Sequence, residues 1–268
     1  VAHLYRGLDV PVHARVFTAN IARRKMTEQG LPEDTVQIAG PWPHRIAAGP
    51  FSVSFVPISH SIPESSGLCI ECPGGKVLHS GDFKIDQQPI VGEPFDEALW
   101  AEAAEGGVQA LVCDSTNVFS LHPGRSESTL GPAIETLVRE AKGMVVATTF
   151  ASNVARVKTL AEAGQAAGRS LVLLGRAMRR MIEASIESGV LTDFPKVVSP
   201  EEARDIPRSS LMLLVTGSQG ERRAASAQLA RGKYNGFELS PGDLFLFSSK
   251  TIPGNERDVI RIVNALSE

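Results

Sequence analysis

From Phe51 the chain reads Phe-Ser-Val-Ser-Phe-Val-Pro-Ile, apolar and polar in alternation, which predicts a half-buried strand running into Ser59-His60-Ser61. Gly67 to Cys72 and Lys76 to His79 predict two further strands, joined by Pro73-Gly74-Gly75, whose glycines accept the positive φ of a turn. This hairpin ends at Ser80-Gly81-Asp82. After an acidic helical stretch around Glu97 to Glu105, Ala110-Leu111-Val112-Cys113 reads as a buried strand ending in Asp114-Ser115-Thr116-Asn117.

Val118 to Ser128 is a Pro/Gly/Ser-containing connection, and beyond it strands and helices alternate. Leu130, Ala133, Ile134, Leu137, Val138 and Ala141 share one helical face. Strands are predicted at 144–148, 171–174, 211–215 and 244–248, and helices at 154–166, 177–188 and 255–267. Such alternation predicts an α/β layer on a mainly parallel sheet. There is no internal repeat.

Composition narrows the class. At 268 residues the chain holds one large or two modest domains. Its three cysteines, Cys69, Cys72 and Cys113, are too few and odd in number for a disulfide framework, which points to a reducing, cytoplasmic setting. No apolar run is long enough to span a membrane, and no secretory signal opens the chain. It starts without Met and ends on a helical segment, so it reads as a fragment. A net charge of −3 gives no global basic field, so a polyanion would be gripped locally, with Arg176 to Arg180 and Arg222 to Arg223 as candidates.

Ligands of open parallel sheets bind at the carboxyl ends of strands, and four such ends here are small or polar. They are Thr149-Phe150-Ala151-Ser152-Asn153, Gly175-Arg176, Thr216-Gly217-Ser218-Gln219-Gly220-Glu221 and Ile252-Pro253-Gly254-Asn255-Glu256. Together they resemble a phosphate or nucleotide-backbone cradle, with Ser152, Asn153, Arg176, Gly217, Ser218, Gln219, Gly254 and Asn255 as candidate contacts, which the resemblance given below makes contacts to RNA. The first half offers His60 and Asp82, an imidazole and a carboxylate suited to Zn²⁺ or Mn²⁺. Two ligands do not hold a catalytic metal, so the remainder must come from elsewhere. His79 is expected to pack or to support the site, His122 sits in the connection, and His13 and His44 have no acidic partner nearby in sequence. Cys69 and Cys72 read as ordinary buried cysteines. Asp114 either caps its own turn or orients a metal-bound histidine.

These segments, in this order, resemble the ribonuclease J family. Ser59-His60-Ser61-Ile62-Pro63-Glu64-Ser65 looks like its third metal motif, His79-Ser80-Gly81-Asp82-Phe83-Lys84 like its fourth, and Cys113-Asp114-Ser115-Thr116-Asn117 like its carboxylate segment. The Thr149, Thr216 and Ile252 loops are similar to strand-end loops of the family's β-CASP insertion. The resemblance implies an α/β fold: a partial metallo-β-lactamase αββα sandwich over 1–120, then a β-CASP domain over 121–268, incomplete at its C-terminal end, with a mainly parallel sheet flanked by helices. It implies that His60 binds one metal, Asp82 bridges two, and Asp114 supports them, so that His60, Asp82 and Asp114 form the catalytic set. The implied activity is hydrolysis of RNA, 5′ to 3′ from 5′-monophosphorylated single strands and sometimes endonucleolytic, with RNA between the two domains. Two Zn²⁺ ions per site are implied, with Mn²⁺ or Mg²⁺ as alternatives, in a cytoplasmic homo-oligomer.

The family's H-x-H-x-D-H motif is absent and is expected before Val1, and its later metal and phosphate-binding segments after Glu268. The chain alone is therefore expected to bind metal poorly and to be inactive. The competing readings are a small-molecule hydrolase of the same metal fold, such as a lactonase or glyoxalase, and a non-catalytic nucleotide-binding α/β domain.

Overall fold

The computed structural model describes residues 1–121 and 124–267. Two compact units divide the chain: Val1–Ser126 with Ala184–Leu191, and Glu127–Glu183 with the residues from Thr192 onward.

In the first unit, α1 (Ala2–Leu8), β1 (Val12–Ala14), α2 (Val16–Glu28) and β2 (Val36–Ile38) form a small cluster. Ala2 and Tyr5 of α1 meet Ala19, Ala22 and Met26 of α2 over Val36, while β1 and β2 pair in parallel. Three-residue strands are too short to display a period, so the sequence pattern before Phe51 does not announce β1 and β2.

The main sheet of this unit follows, with β3 (Ile46–Ala48), β4 (Phe51–Pro57), β5 (Ser66–Cys72), β6 (Gly75–His79) and, after helix α3 (Glu97–Ala104), β7 (Ala110–Val112). The spatial order is β3-β4-β5-β6-β7. Asp96 caps α3 by accepting the Ala98 and Leu99 N–H groups. The core on the α3 side contains Val56, Cys69, Leu78 and Ala103, with Trp42, Leu99 and Trp100 packed against it.

The alternation in β4 is present with its phase reversed. Ser54 and Val56 are the buried positions, whereas Phe51 is exposed and Val53 and Phe55 are half-buried. The cause is Trp100: a Cβ at Gly67 would lie 2.4 Å from its ring, and its Nε1 donates to Pro57 O at 2.9 Å, so small residues are needed beneath it. A second correction concerns β7, expected to be buried. Among the described residues it pairs with β6 alone, and Leu111 and Val112 are 61% and 49% exposed, so it stands at the edge of this sheet.

The second unit is an α/β layer built from α4 (Gly131–Glu140), β8 (Val145–Thr148), α5 (Val154–Ala166), β9 (Ser170–Leu174), α6 (Arg176–Glu187) and β10 (Leu211–Val215). It continues through α7 (Ala225–Ala230), the hairpin β11 (Lys233–Tyr234) and β12 (Phe237–Glu238), β13 (Leu244–Phe247) and α8 (Glu256–Ser267). The last residues of α6, from Ala184, count with the first unit. All pairs in the sheet β13-β8-β10-β9 are parallel. The inner strands β8 and β10 are covered on both faces, so they read as unbroken apolar runs rather than alternating ones. Gly164 brings α5 onto the sheet, since a Cβ there would lie 2.5 Å from Leu171 and 2.8 Å from the sulfur of Met212. Arg169 is buried, and its guanidinium donates to the carbonyls of Ala141, Gly143 and Leu211, tying the start of β8 to that of β10. No described helix is long and apolar enough to cross a membrane.

Candidate functional site

β4 is antiparallel to β5, β5 is antiparallel to β6, and β6 is parallel to β7. The carboxyl ends of β4, β6 and β7 therefore share one edge of the sheet, and the loops leaving them carry His60, Asp82 and Asp114. Serines tie these loops together, Ser59 and Ser80 buried and Ser65 half-buried. Ser59 donates from Oγ to Lys84 O and accepts the Asp86 N–H at 3.0 Å, while the Lys84 N–H returns to Ser59 O at 2.8 Å. Ser65 donates to Asp82 O at 3.3 Å, so the His60 and Asp82 loops are pinned to each other twice. Ser80 performs the same task between β6 and β7, with its Oγ accepting the Asp114 N–H at 2.9 Å.

His60 is half-buried. Burial lowers its pKa, against the opposing pull of the Asp82 and Asp114 charges, and Lys84 lowers it further. Asp114 Oδ1 accepts both the N–H and the hydroxyl of Thr116, at 2.9 and 2.6 Å, and these bonds together with His60 hold its carboxyl below the usual range. The three residues thus form one electrostatic group. They do not make a complete metal site: among the described residues no three or more His, Cys, Asp or Glu side chains are grouped to hold an ion. A donor set of His60 and Asp82 falls short of the three protein ligands a catalytic metal normally takes. His79 is exposed, and its Nδ1 accepts the Gly81 N–H at 3.0 Å, shaping the turn that precedes Asp82. Cys69 is buried, Cys72 is only half-buried against expectation, and Cys113 is exposed; all three are free thiols. His122 lies outside the described residues.

One network near this edge had no signal in the sequence. Arg15 is 7% exposed, and its guanidinium meets Glu64 at 3.5 Å, Glu93 at 2.9 Å and Ser66 Oγ at 3.4 Å. The other oxygen of Glu64 accepts the Phe17 N–H at 2.5 Å, capping the start of α2. Glu64 itself sits at φ 55°, a left-handed conformation that costs a side-chain-bearing residue about 1–2 kcal/mol. Residues 49 and 78 positions apart in sequence carry no spacing that would reveal the contact.

In the second unit, Asn153 accepts the Arg156 N–H at 3.0 Å and caps α5. Arg156 is paired with Glu127 and donates to Ser248 O at 2.7 Å. Arg176 and Gly254 are exposed, and Ser152, Asn153 and Asn255 are partly so. Gly217, Ser218 and Gln219, expected to touch RNA, are buried. Gly217 needs to be glycine, because at φ 107° an added Cβ would meet Ser226 Oγ at 2.2 Å.

Comparison with known proteins places this arrangement. Residues 142–266 match the family profile described as the beta-CASP domain of ribonuclease J, and nearly the whole chain aligns with part of relatives of that name. Over nearly its whole length the chain is similar to ribonuclease J. It is 41% identical over 266 residues to ribonuclease J of Sinorhizobium meliloti, covering 99% of this chain and 47% of that protein. Ribonuclease J of Mycolicibacterium smegmatis is 37% identical, covering 97% and 46%, and that of Helicobacter pylori 33% identical, covering 98% and 39%. The chain thus spans about half the length, or less, of these ribonuclease J relatives. Among solved structures, a protein of unknown function from Enterococcus faecalis V583 shares the fold at a TM-score of 0.50 and 16% identity, over 76% of this chain and 53% of that one.

Proposed function

We propose that this chain is part of a metal-dependent ribonuclease J that hydrolyses RNA phosphodiesters in RNA processing and decay. The observation that carries the reading is the convergence of His60, Asp82 and Asp114 at one sheet edge, in a chain 41% identical to a ribonuclease J over nearly its whole length. His60 and Asp82 would supply two metal ligands, and Asp114 would support them. The chemistry that Zn²⁺, or Mn²⁺ or Mg²⁺ in its place, would supply there is activation of water for attack on phosphorus. What this chain contributes is the pinned loop set that fixes the two donors. Arg176, Ser152, Asn153, Asn255 and Gly254 are the partly or fully exposed candidates for contact with RNA. The further proposals are a preference for 5′-monophosphorylated single strands, a cytoplasmic site of action and a homo-oligomeric state.

The test uses the complete protein, residues 1–268 alone, and the complete protein with His60→Ala or Asp82→Ala. Bound metal is measured by elemental analysis, and cleavage with a 5′-monophosphorylated single-stranded RNA. The complete protein should cleave, and each variant should lose at least a hundredfold in activity together with bound metal, the scale of effect seen on disturbing metal sites. Residues 1–268 alone should be inactive. Turnover of a lactone in place of RNA, or undiminished cleavage by Asp82→Ala, would overturn the proposal.

A further inference from the structure

β8 lies between β10 and β13 in the sheet, so no backbone ladder joins the loop after β10 to the loop after β13. The Gln219 side chain does. It is 6% exposed; its Nε2 donates to Ser218 O at 3.2 Å and Lys250 O at 3.1 Å, and its Oε1 accepts from Ile252 N–H at 2.8 Å and Asn255 Nδ2 at 3.3 Å. All four hydrogen-bonding positions of the amide are therefore used. Neighbouring contacts stiffen the same junction. Gly220, at φ 80°, is pressed so close to the start of α8 that a Cβ would lie 2.3 Å from the carbonyl carbon of Asp258.

The charges of the two loops are handled unequally. Glu221 turns back to accept the Gln219 N–H at 3.1 Å, and Glu256 the Gly254 N–H at 2.8 Å. Arg222, Arg223, Lys250 and Arg257 are exposed, and among the described residues none is in ion-pair contact with a carboxylate. Free cations on stiff backbone at the carboxyl end of a parallel sheet suit an extended polyanion.

The structure assigns Gln219 a positioning role: its buried amide locks the 216–221 and 250–255 loops into one surface, fixing Lys250 as a phosphate contact for single-stranded RNA. Gln219 does not itself touch the strand. The assignment rests on the RNA reading above and adds to it the residue that sets the binding surface.

The experiment measures binding of a fluorescently labelled oligouridylate by the complete protein, using anisotropy across a salt series. Loss of one phosphate contact lowers the slope of log affinity against log salt by about 0.7 for a single strand. Lys250→Ala and Gln219→Leu should each produce about that drop, and the double variant no more than either alone, because both remove the same contact. Hydrogen exchange at 250–255 should accelerate in Gln219→Leu and stay slow in Lys250→Ala. Gln219→Glu keeps the size but turns an oxygen toward two carbonyls; it should behave like the Leu variant and replaces it if that variant does not fold. Additive slope changes, or a Gln219 variant with an unchanged slope, would overturn the assignment and leave the RNA reading intact. Absence of any salt-dependent binding by the unaltered protein would overturn both.

Discussion

Replacing Arg15 by Met tests whether the buried ion network holds the His60 loop. Met keeps much of the apolar stem and deletes the charge, leaving the carboxylates of Glu64 and Glu93, whose side chains are 11% and 37% exposed, without their shared cation. Breaking a buried pair in this way costs about 3–5 kcal/mol. Solvent around Glu93 screens part of that, which favours the lower end, about 3 kcal/mol. Against a typical stability of about 5–15 kcal/mol the loss is large. With a urea m value of about 1–3 kcal/mol/M, the midpoint should fall by roughly 1–3 M. Trp42 and Trp100, the two tryptophans of the chain, both lie in the first unit, so intrinsic fluorescence reports on the unit concerned. Glu64→Gln should cost less, about 1–2 kcal/mol, because Arg15 keeps Glu93. The double variant should recover part of the Arg15→Met loss, since one stranded charge is gone. A midpoint shift below about 0.5 M, or strictly additive losses, would show that the network contributes little.

Two further predictions concern single buried side chains, one in each unit. Asp86 has a side chain 6% exposed; burial pushes its pKa up, but the Gln88 N–H, Ser126 and Lys84 together bring it below the ordinary carboxylate value. Its stabilisation is thus complete above the unfolded pKa of about 3.9 and is lost as pH falls through the lower folded value, so Asp86→Asn should cost about 1.5–3 kcal/mol at pH 7 and progressively less as pH falls below about 3.9, as read by urea unfolding across that range. Thr148 is fully buried, and among the described residues its Oγ1 has no hydrogen-bond partner. Thr148→Val should therefore be neutral or raise stability by about 1 kcal/mol, and a thermal melting temperature lowered by several degrees would contradict this.

The second unit was the more legible half. Its strands are buried on both faces, and its helices carry whole turns of apolar periodicity, so each predicted element reappears within a few residues. β4 and β7 were harder because burial depends on what covers them. Alternation in Phe51 to Pro57 gives a period but not which face meets Trp100, and the apolar Ala110 to Val112 cannot announce that it stands at the edge of this sheet. The site shows the same division. His60, Asp82 and Asp114 follow recognisable strand ends, and their grouping could be anticipated. Arg15 with Glu64, and Gln219 with the 250–255 loop, are partnerships created by the folded chain, and a glutamine that reads as a ligand contact proves to be spent on its own protein.

The return of Ala184–Leu191 to the first unit has a consequence for biosynthesis. A ribosome that has just released Ser126 has not yet made everything that unit needs. Roughly 65 more residues, most of them belonging to the second unit, must emerge first, which at about 5–20 residues per second is a wait of several seconds. During that interval Arg24 lacks Glu187, its partner at 2.6 Å, and the nascent first unit is exposed to chaperones and proteases in an unfinished form. Cutting the gene at residue 126 would make that unfinished form permanent.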